Sequence, residues 1–133
     1  MLKLLLFSML LLARPMPQQQ PATPALPIIP PEARHMTSPA KPTPEGMAHA
    51  KKMFGYDCVV CHGTNGNGKG EVALESKLNM KDWTDPSVLK DRTDGELFYI
   101  ITHGQGNMPS EGERAKPEDV WNMVVIARSF SKP

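Results

Sequence analysis

Apolar positions recur at helical spacing in three stretches of this chain and at convincing strand spacing in none. In the first, Met47, Ala50 and Phe54 follow Thr43-Pro44-Glu45, which supplies a capping residue, a proline at the first helical position and an acid in the first turn. The pattern predicts a helix from 44 to about 56. The second stretch opens on Thr93-Asp94-Gly95-Glu96, where the Glu96 side chain can reach back to the Thr93 amide as a capping box. Leu97, Ile100 and Ile101 then form one stripe up to a stop at Gly104. The third starts at Pro117-Glu118-Asp119 and turns Val120, Met123, Val124 and Ala127 inward, with Trp121 beside them, to about Phe130. Shorter helical turns are expected over 71–77 and after Asp85-Pro86, and the glycine- and asparagine-rich runs at 63–70 and 104–115 read as loops. The expected class is all-α, three to five helices with long loops.

Ahead of the first helix the pattern changes twice. Lys3 precedes an apolar run from Leu4 to Leu12, broken only by Ser8. A membrane-spanning helix needs about 20 apolar residues, so this run suits the core of an export signal, assigned here to residues 1–14. No cysteine lies nearby to take a lipid. Ten of the fourteen prolines then fall between Pro15 and Pro44, with few charges and no hydrophobic period. Residues 15–43 therefore read as an extended, disordered linker, a spacer that at about 3.1 Å per residue reaches on the order of 90 Å. The folding unit is expected over 44–133.

A unit of about 90 residues builds a marginal core on its own, and only 6% of the chain is aromatic. A staple, a metal or a cofactor has to complete it. Charge points to no polyanion: residues 44–133 carry eleven Lys and Arg against thirteen Asp and Glu, a balance of −2. No basic stripe with interleaved aromatics exists, which excludes nucleic acid as a partner.

Both cysteines fall in Cys58-Val59-Val60-Cys61-His62, and C-x-x-C-H is the attachment pattern of a c-type haem. The spacing has a chemical reason. Each thiol adds to one vinyl group on the same porphyrin edge, and the adjacent histidine then lies under the iron. A disulfide oxidoreductase would want the pair at a helix N-terminus after a strand, whereas here a helix precedes it. A zinc site lacks a second ligand pair, and a disulfide closing so small a loop would stabilise little. The following Gly63 to Lys69 run mimics a phosphate loop, but Gly70 stands where Ser or Thr would be needed. Those glycines read better as letting the chain turn closely around a bulky planar group.

An iron held by His62 needs a sixth ligand, and a thioether there raises the potential. Met80, Met108, Met123 and His103 are the candidates. Met123 falls on a helix core face, where methionine mostly packs. Met80 lies in polar loop only eighteen residues beyond His62. His103 reads as a helix C-terminal residue interacting with the dipole. Met108, followed by Pro109 and flanked by Gly104, Gly106 and Asn107, sits in a loop suited to carrying a sulfur across a ring face, and is preferred.

The runs MFGYDCVVCHGTNGNGKG, TDGELFYIITHGQGNMP and PEDVWNMVVIARSF together resemble a class I mono-haem cytochrome c domain over residues 44–133. The resemblance implies a small helical fold wrapped around one covalent haem c, with Cys58 and Cys61 as thioethers, His62 as proximal and Met108 as distal iron ligand. It implies that Phe54 packs near Trp121 and Val124 where the first and last helices cross, and it sets Trp83 either near the haem edge or as a half-buried loop aromatic. The function implied is one-electron transfer between redox partner proteins, not enzymatic turnover, in the periplasm or another extracytoplasmic space. The pattern is also similar to haem subunits tethered to a membrane respiratory complex or oxidoreductase, attached through partners or an uncleaved N-terminus. A haem enzyme or sensor with an open iron position is the remaining class, and carbon monoxide binding to the reduced protein separates it from a carrier.

Overall fold

The structure is a computed structural model that describes residues 28–131; the expected export signal at 1–14 lies outside the described residues, as do 15–27 and 132–133. Six α-helical segments follow one another: α1 (Pro44–Met53), α2 (Val59–His62), α3 (Glu71–Glu75), α4 (Pro86–Leu89), α5 (Asp94–His103) and α6 (Pro117–Ser129). A π-helical turn, Phe54–Cys58, joins α1 to α2, so the two run on as one helix and five α-helices stand among the described residues. No strand occurs among the described residues. The all-α expectation and its long loops hold.

Local chemistry sets the helix starts. Gly46 N donates to Thr43 Oγ1 at 3.0 Å, and Pro44 takes the first helical position. At α5 the capping box is complete: Glu96 N donates to Thr93 Oγ1 at 3.2 Å and Thr93 N to Glu96 Oε2 at 2.9 Å. At α6, Pro117 leads and Lys116 N donates to Asp119 Oδ2 at 3.3 Å.

The core is α6 held between α1 and α5. One cluster joins Ala50 and Phe54 to Val120, Met123 and Ile126; the other joins Leu89 and Leu97 to Trp121 and Val124. Phe54 consequently packs against Phe130, ring centroids 5.6 Å apart, and not against Trp121. The reason is helical phase. Trp121 lies about 100° around α6 from Val120, which turns it to α5, where it stacks on Phe98 with centroids 4.3 Å apart. Met123 is almost fully buried, and its truncation to alanine would cost about 2–5 kcal/mol. Arg128 fastens the second layer, donating to Asp94 Oδ1 at 2.9 Å, to Leu89 O at 2.6 Å and to Arg92 O.

The tract read as a disordered linker up to residue 43 contains an ordered 3₁₀ turn, Pro31–His35. It lies along α5 because Gly95 leaves room: a Cβ there would stand 1.9 Å from Ala33 O. Ala33 is fully buried and Arg34 Nε donates to the buried Glu96 at 3.1 Å. A short apolar residue, an ion pair and a glycine seat thus anchor this part of the tract, features that composition does not display.

Candidate functional site

The motif helix ends at the site. Val59 N donates to Phe54 O across the π turn, an extra residue that resets the helical face just before Cys61 and His62. Gly63, at φ +78°, stops the helix. The glycine loop then folds back onto the motif: Gly68 N donates to His62 O at 2.8 Å and Gly70 N to Cys61 O at 3.1 Å. A Cβ on Gly70 would stand 2.3 Å from Val60 O. These glycines therefore wrap the carbonyl end of the motif helix, where the sequence reading had them turning around a planar group. None of Gly63, Gly66, Gly68 and Gly70 lines the cavity beside the motif helix.

That cavity, about 750 Å³, falls in the range of about 300–1,000 Å³ usual for ligand sites. Its walls come from His62, the 78–83 loop, α4, the inner face of α5 and the 105–108 turn. A narrow cleft continues from it past His62, Met80 and Met108 to Cys58 and Cys61. Both cysteines are free and half-buried.

His62 is buried and its Nδ1 has no hydrogen-bond partner. Burial pushes its pKa down to about 4, so the imidazole is neutral and has a lone pair to give at ordinary pH. Trp83 stacks on it with centroids 4.0 Å apart, placing this loop aromatic at the cavity wall.

Met108 is presented by a tight turn. Gln105 N donates to Met108 O at 3.1 Å and Met108 N to Gln105 O at 3.0 Å. Gly104, at φ +77°, allows it, since a Cβ there would stand 2.5 Å from Met108 O. Of the other candidates, Met80 lines both the cavity and the cleft. Met123 is packed in the core cluster, and His103 is exposed, with its Nδ1 3.0 Å from Tyr99 O. The four preferred residues Cys58, Cys61, His62 and Met108 thus meet at one cleft.

The charged residues at this site had no signal in the sequence. Lys81 and Arg92 line the large cavity. Glu111, 3% exposed, lines the cleft and pairs with Arg114 at 2.6 Å, while Arg114 also reaches Asp57 at 3.1 Å. Cys58 feels this group: burial foremost, then the Glu111 and Asp57 carboxylates, push its thiol up to about 12.

The residues present fit a haem. A largely apolar cavity of suitable size opens beside a neutral buried imidazole with an unpartnered nitrogen and two thiols on one helix end. The helical shell and this site define a cytochrome c domain. The match of residues 45–125 to the family described as cytochrome C oxidase, cbb3-type, subunit III agrees, and the chain belongs to that family. It is 34% identical over 92 residues to the Cbb3-type cytochrome c oxidase subunit FixP of Bradyrhizobium sp. (strain ORS 278), an alignment covering 67% of this chain and 30% of that protein. The FixP of Azorhizobium caulinodans is 30% identical over 80 residues, covering 59% of this chain and 25% of the relative. The chain therefore spans less than a third of these curated relatives. Among solved structures, the KustC0563 c-type cytochrome superposes with TM-score 0.55 at 26% identity, covering 62% of this chain and 98% of that one. A chain of the Kuenenia stuttgartiensis reducing HAO-like protein complex Kustc0457/Kustc0458 shares the fold at TM-score 0.60 and 23% identity, covering 71% of this chain and 48% of that one. The family implies covalently bound haem c with its iron.

Proposed function

We propose that residues 44–133 form a one-electron carrier domain holding a single haem c, with thioethers from Cys58 and Cys61 and axial ligands from His62 and Met108. When bound, the haem supplies a reversible one-electron change at its iron. The chain's residues do the rest. His62 presents a neutral nitrogen, the Gln105–Met108 turn presents a thioether that favours the reduced state, and Leu78, Leu97 and Ile100 exclude water. Lys81 and Arg92 on the cavity wall are suited to pair with the haem carboxylates. One attachment motif in the chain supports one haem.

The observation carrying the ligand assignment is that Met108 and His62 line the same cavity and cleft while Met123 and His103 line neither. Met80 shares that position and is the competitor. Met108→Ala is expected to abolish the weak long-wavelength absorbance of an iron–sulfur bond and lower the potential; Met80→Ala is expected to leave both in place. The reverse result would transfer the role to Met80.

The relatives' names as Cbb3-type cytochrome c oxidase subunits support a domain that exchanges electrons with a respiratory complex; we read it as an electron-transfer protein and not an enzyme, working at a membrane in an extracytoplasmic space. No helix among the described residues is long and apolar enough to cross a membrane. The proposed routes of attachment are partners and the N-terminal 1–43 as signal and spacer. Co-purification of the full chain with membranes, released by high salt or by detergent, tests which.

A further inference from the structure

The turn that presents Met108 is tied to the fold on two sides. Toward α5 the ties are from the loop to backbone carbonyls: Glu111 N donates to Ile101 O at 3.0 Å, Gly112 N to Thr102 O at 3.0 Å, and Ser110 Oγ to Thr102 O at 2.7 Å. Toward the motif helix, among the described residues, one side-chain hydrogen bond makes the tie. Arg114 donates from one guanidinium nitrogen to Asp57 Oδ1 at 3.1 Å and from the other to Glu111 Oε1 at 2.6 Å. Asp57 immediately precedes Cys58, Glu111 lies three residues beyond Met108, and both line the cleft that holds Cys58, His62 and Met108.

We propose that Arg114 is a clasp, bridging Asp57 on the motif helix and Glu111 on the Met108 loop, and that it thereby governs how readily a foreign ligand enters the Met108 side of the site. The proposal rests on the reading of Met108 as an axial ligand. Exposed ion pairs contribute little, and Arg114 itself is half exposed. Glu111 is different: its side chain is 3% exposed and its second oxygen, Oε2, is buried with no partner. Arg114 is therefore the counter-ion of a carboxylate taken out of water. Without it that charge stands uncompensated, and the simplest relief is for Glu111 to swing out to solvent. The backbone that moves with it carries Met108. The part needs arginine, because two carboxylates on different elements are met by two nitrogens of one planar group, whereas a lysine offers a single point.

The test uses the holoprotein with its haem attached and follows the rate of imidazole binding to the oxidised form, with the long-wavelength absorbance and the melting temperature recorded alongside. R114Q and D57N are each expected to speed imidazole entry about five- to thirtyfold, the range that one or two kcal/mol of lost clasp energy produces. The double variant should be no faster than the faster single one, and R114K should recover only part of the loss. High salt should speed entry in the wild type more than in R114Q. Entry into R114Q at the wild-type rate, even with a lowered melting temperature, would overturn the clasp and leave Arg114 a stabilising surface residue. Met108→Ala separates the two readings. If it leaves entry and absorbance unchanged, the ligand assignment fails and the clasp with it; if it opens the site while R114Q does not, the clasp alone fails.

Discussion

The indole of Trp83 lies against the imidazole of His62, ring centroids 4.0 Å apart and planes 23° from parallel. The glycine loop arranges both partners, because Trp83 N donates to Gly66 O at 2.8 Å while Gly68 N caps His62 O. Phe130 backs the indole at 6.2 Å, so the motif histidine is steadied by an aromatic stack reaching the end of α6. Trp83→Ala is expected to destabilise the holoprotein by about 2–4 kcal/mol, and Trp83→Phe, which keeps a ring face, by about 1 kcal/mol. Denaturant melts followed by haem absorbance check this. Equal losses in the two variants would show that the stack is not what steadies His62.

Two glycines make opposite predictions. Gly104 has φ +77°, and a Cβ there would meet Met108 O at 2.5 Å and Pro109 C at 3.0 Å. Gly104→Ala is expected to cost about 2–3 kcal/mol and to weaken the long-wavelength absorbance, since the backbone beside Met108 must shift. Gly55 sits in the helical run with nothing within 4 Å of its would-be Cβ. Gly55→Ala is expected to be neutral or to stabilise by about 0.5–1 kcal/mol, with the spectrum unchanged. Thermal melts of the two variants decide, and a similar fall in both would contradict the structural distinction.

Much of this was legible because local chemistry dictates it. Thr43-Pro44, the Thr93–Glu96 box and Pro117 mark helix starts through contacts within three residues, and C-x-x-C-H places two thiols and an imidazole at one helix end. Met108 stood out through its flanking Gly104, Gly106 and Pro109. What stayed hidden depends on elements distant in the chain. Phe54 meets Phe130 and not Trp121 because α6 is shared between two neighbours and divides its apolar arc. The Pro31–His35 turn docks on Gly95 and Glu96, more than sixty residues away, and proline content alone suggests only extension. Glu111 and Arg114 are two polar loop residues until the fold sets them beside Asp57.

Glu96 predicts a pH dependence. Its carboxyl is held below the ordinary carboxylate range, first by the Thr93 amide and then by the charges of Arg34 and Arg92. A depressed folded-state value means that the ionised form is favoured in the fold. The contribution is therefore complete above the unfolded value of about 4.3 and is lost as pH falls through the lower folded value. Glu96→Gln should be less stable than wild type by about 1–2 kcal/mol at neutral pH, and the gap should narrow below about pH 4. A gap that stays constant down to pH 3, a value about one unit below the carboxylate reference, would mean that the loss is packing and not charge.

The thiol of Cys58 reports whether the polypeptide can fold without its haem. Within the fold, burial and then the Glu111 and Asp57 carboxylates hold it up to about 12, against the partial opposition of Arg114. An ordinary cysteine titrates near about 8.5, so at pH about 8 the folded chain would expose far less Cys58 thiolate, the species that alkylates. The two core clusters are small, however, and the large cavity between α4, α5 and the motif helix contributes no packing by itself. A chain made without haem attachment is therefore expected to be mostly unfolded, with low helicity by circular dichroism and Cys58 reacting with iodoacetamide at the rate of an ordinary thiol. If Cys58 and Cys61 carry the haem as proposed, neither cysteine of the holoprotein should react. Native helicity in the haem-free chain, together with a Cys58 rate that is strongly suppressed and climbs steadily with pH, would show that the polypeptide completes its own core.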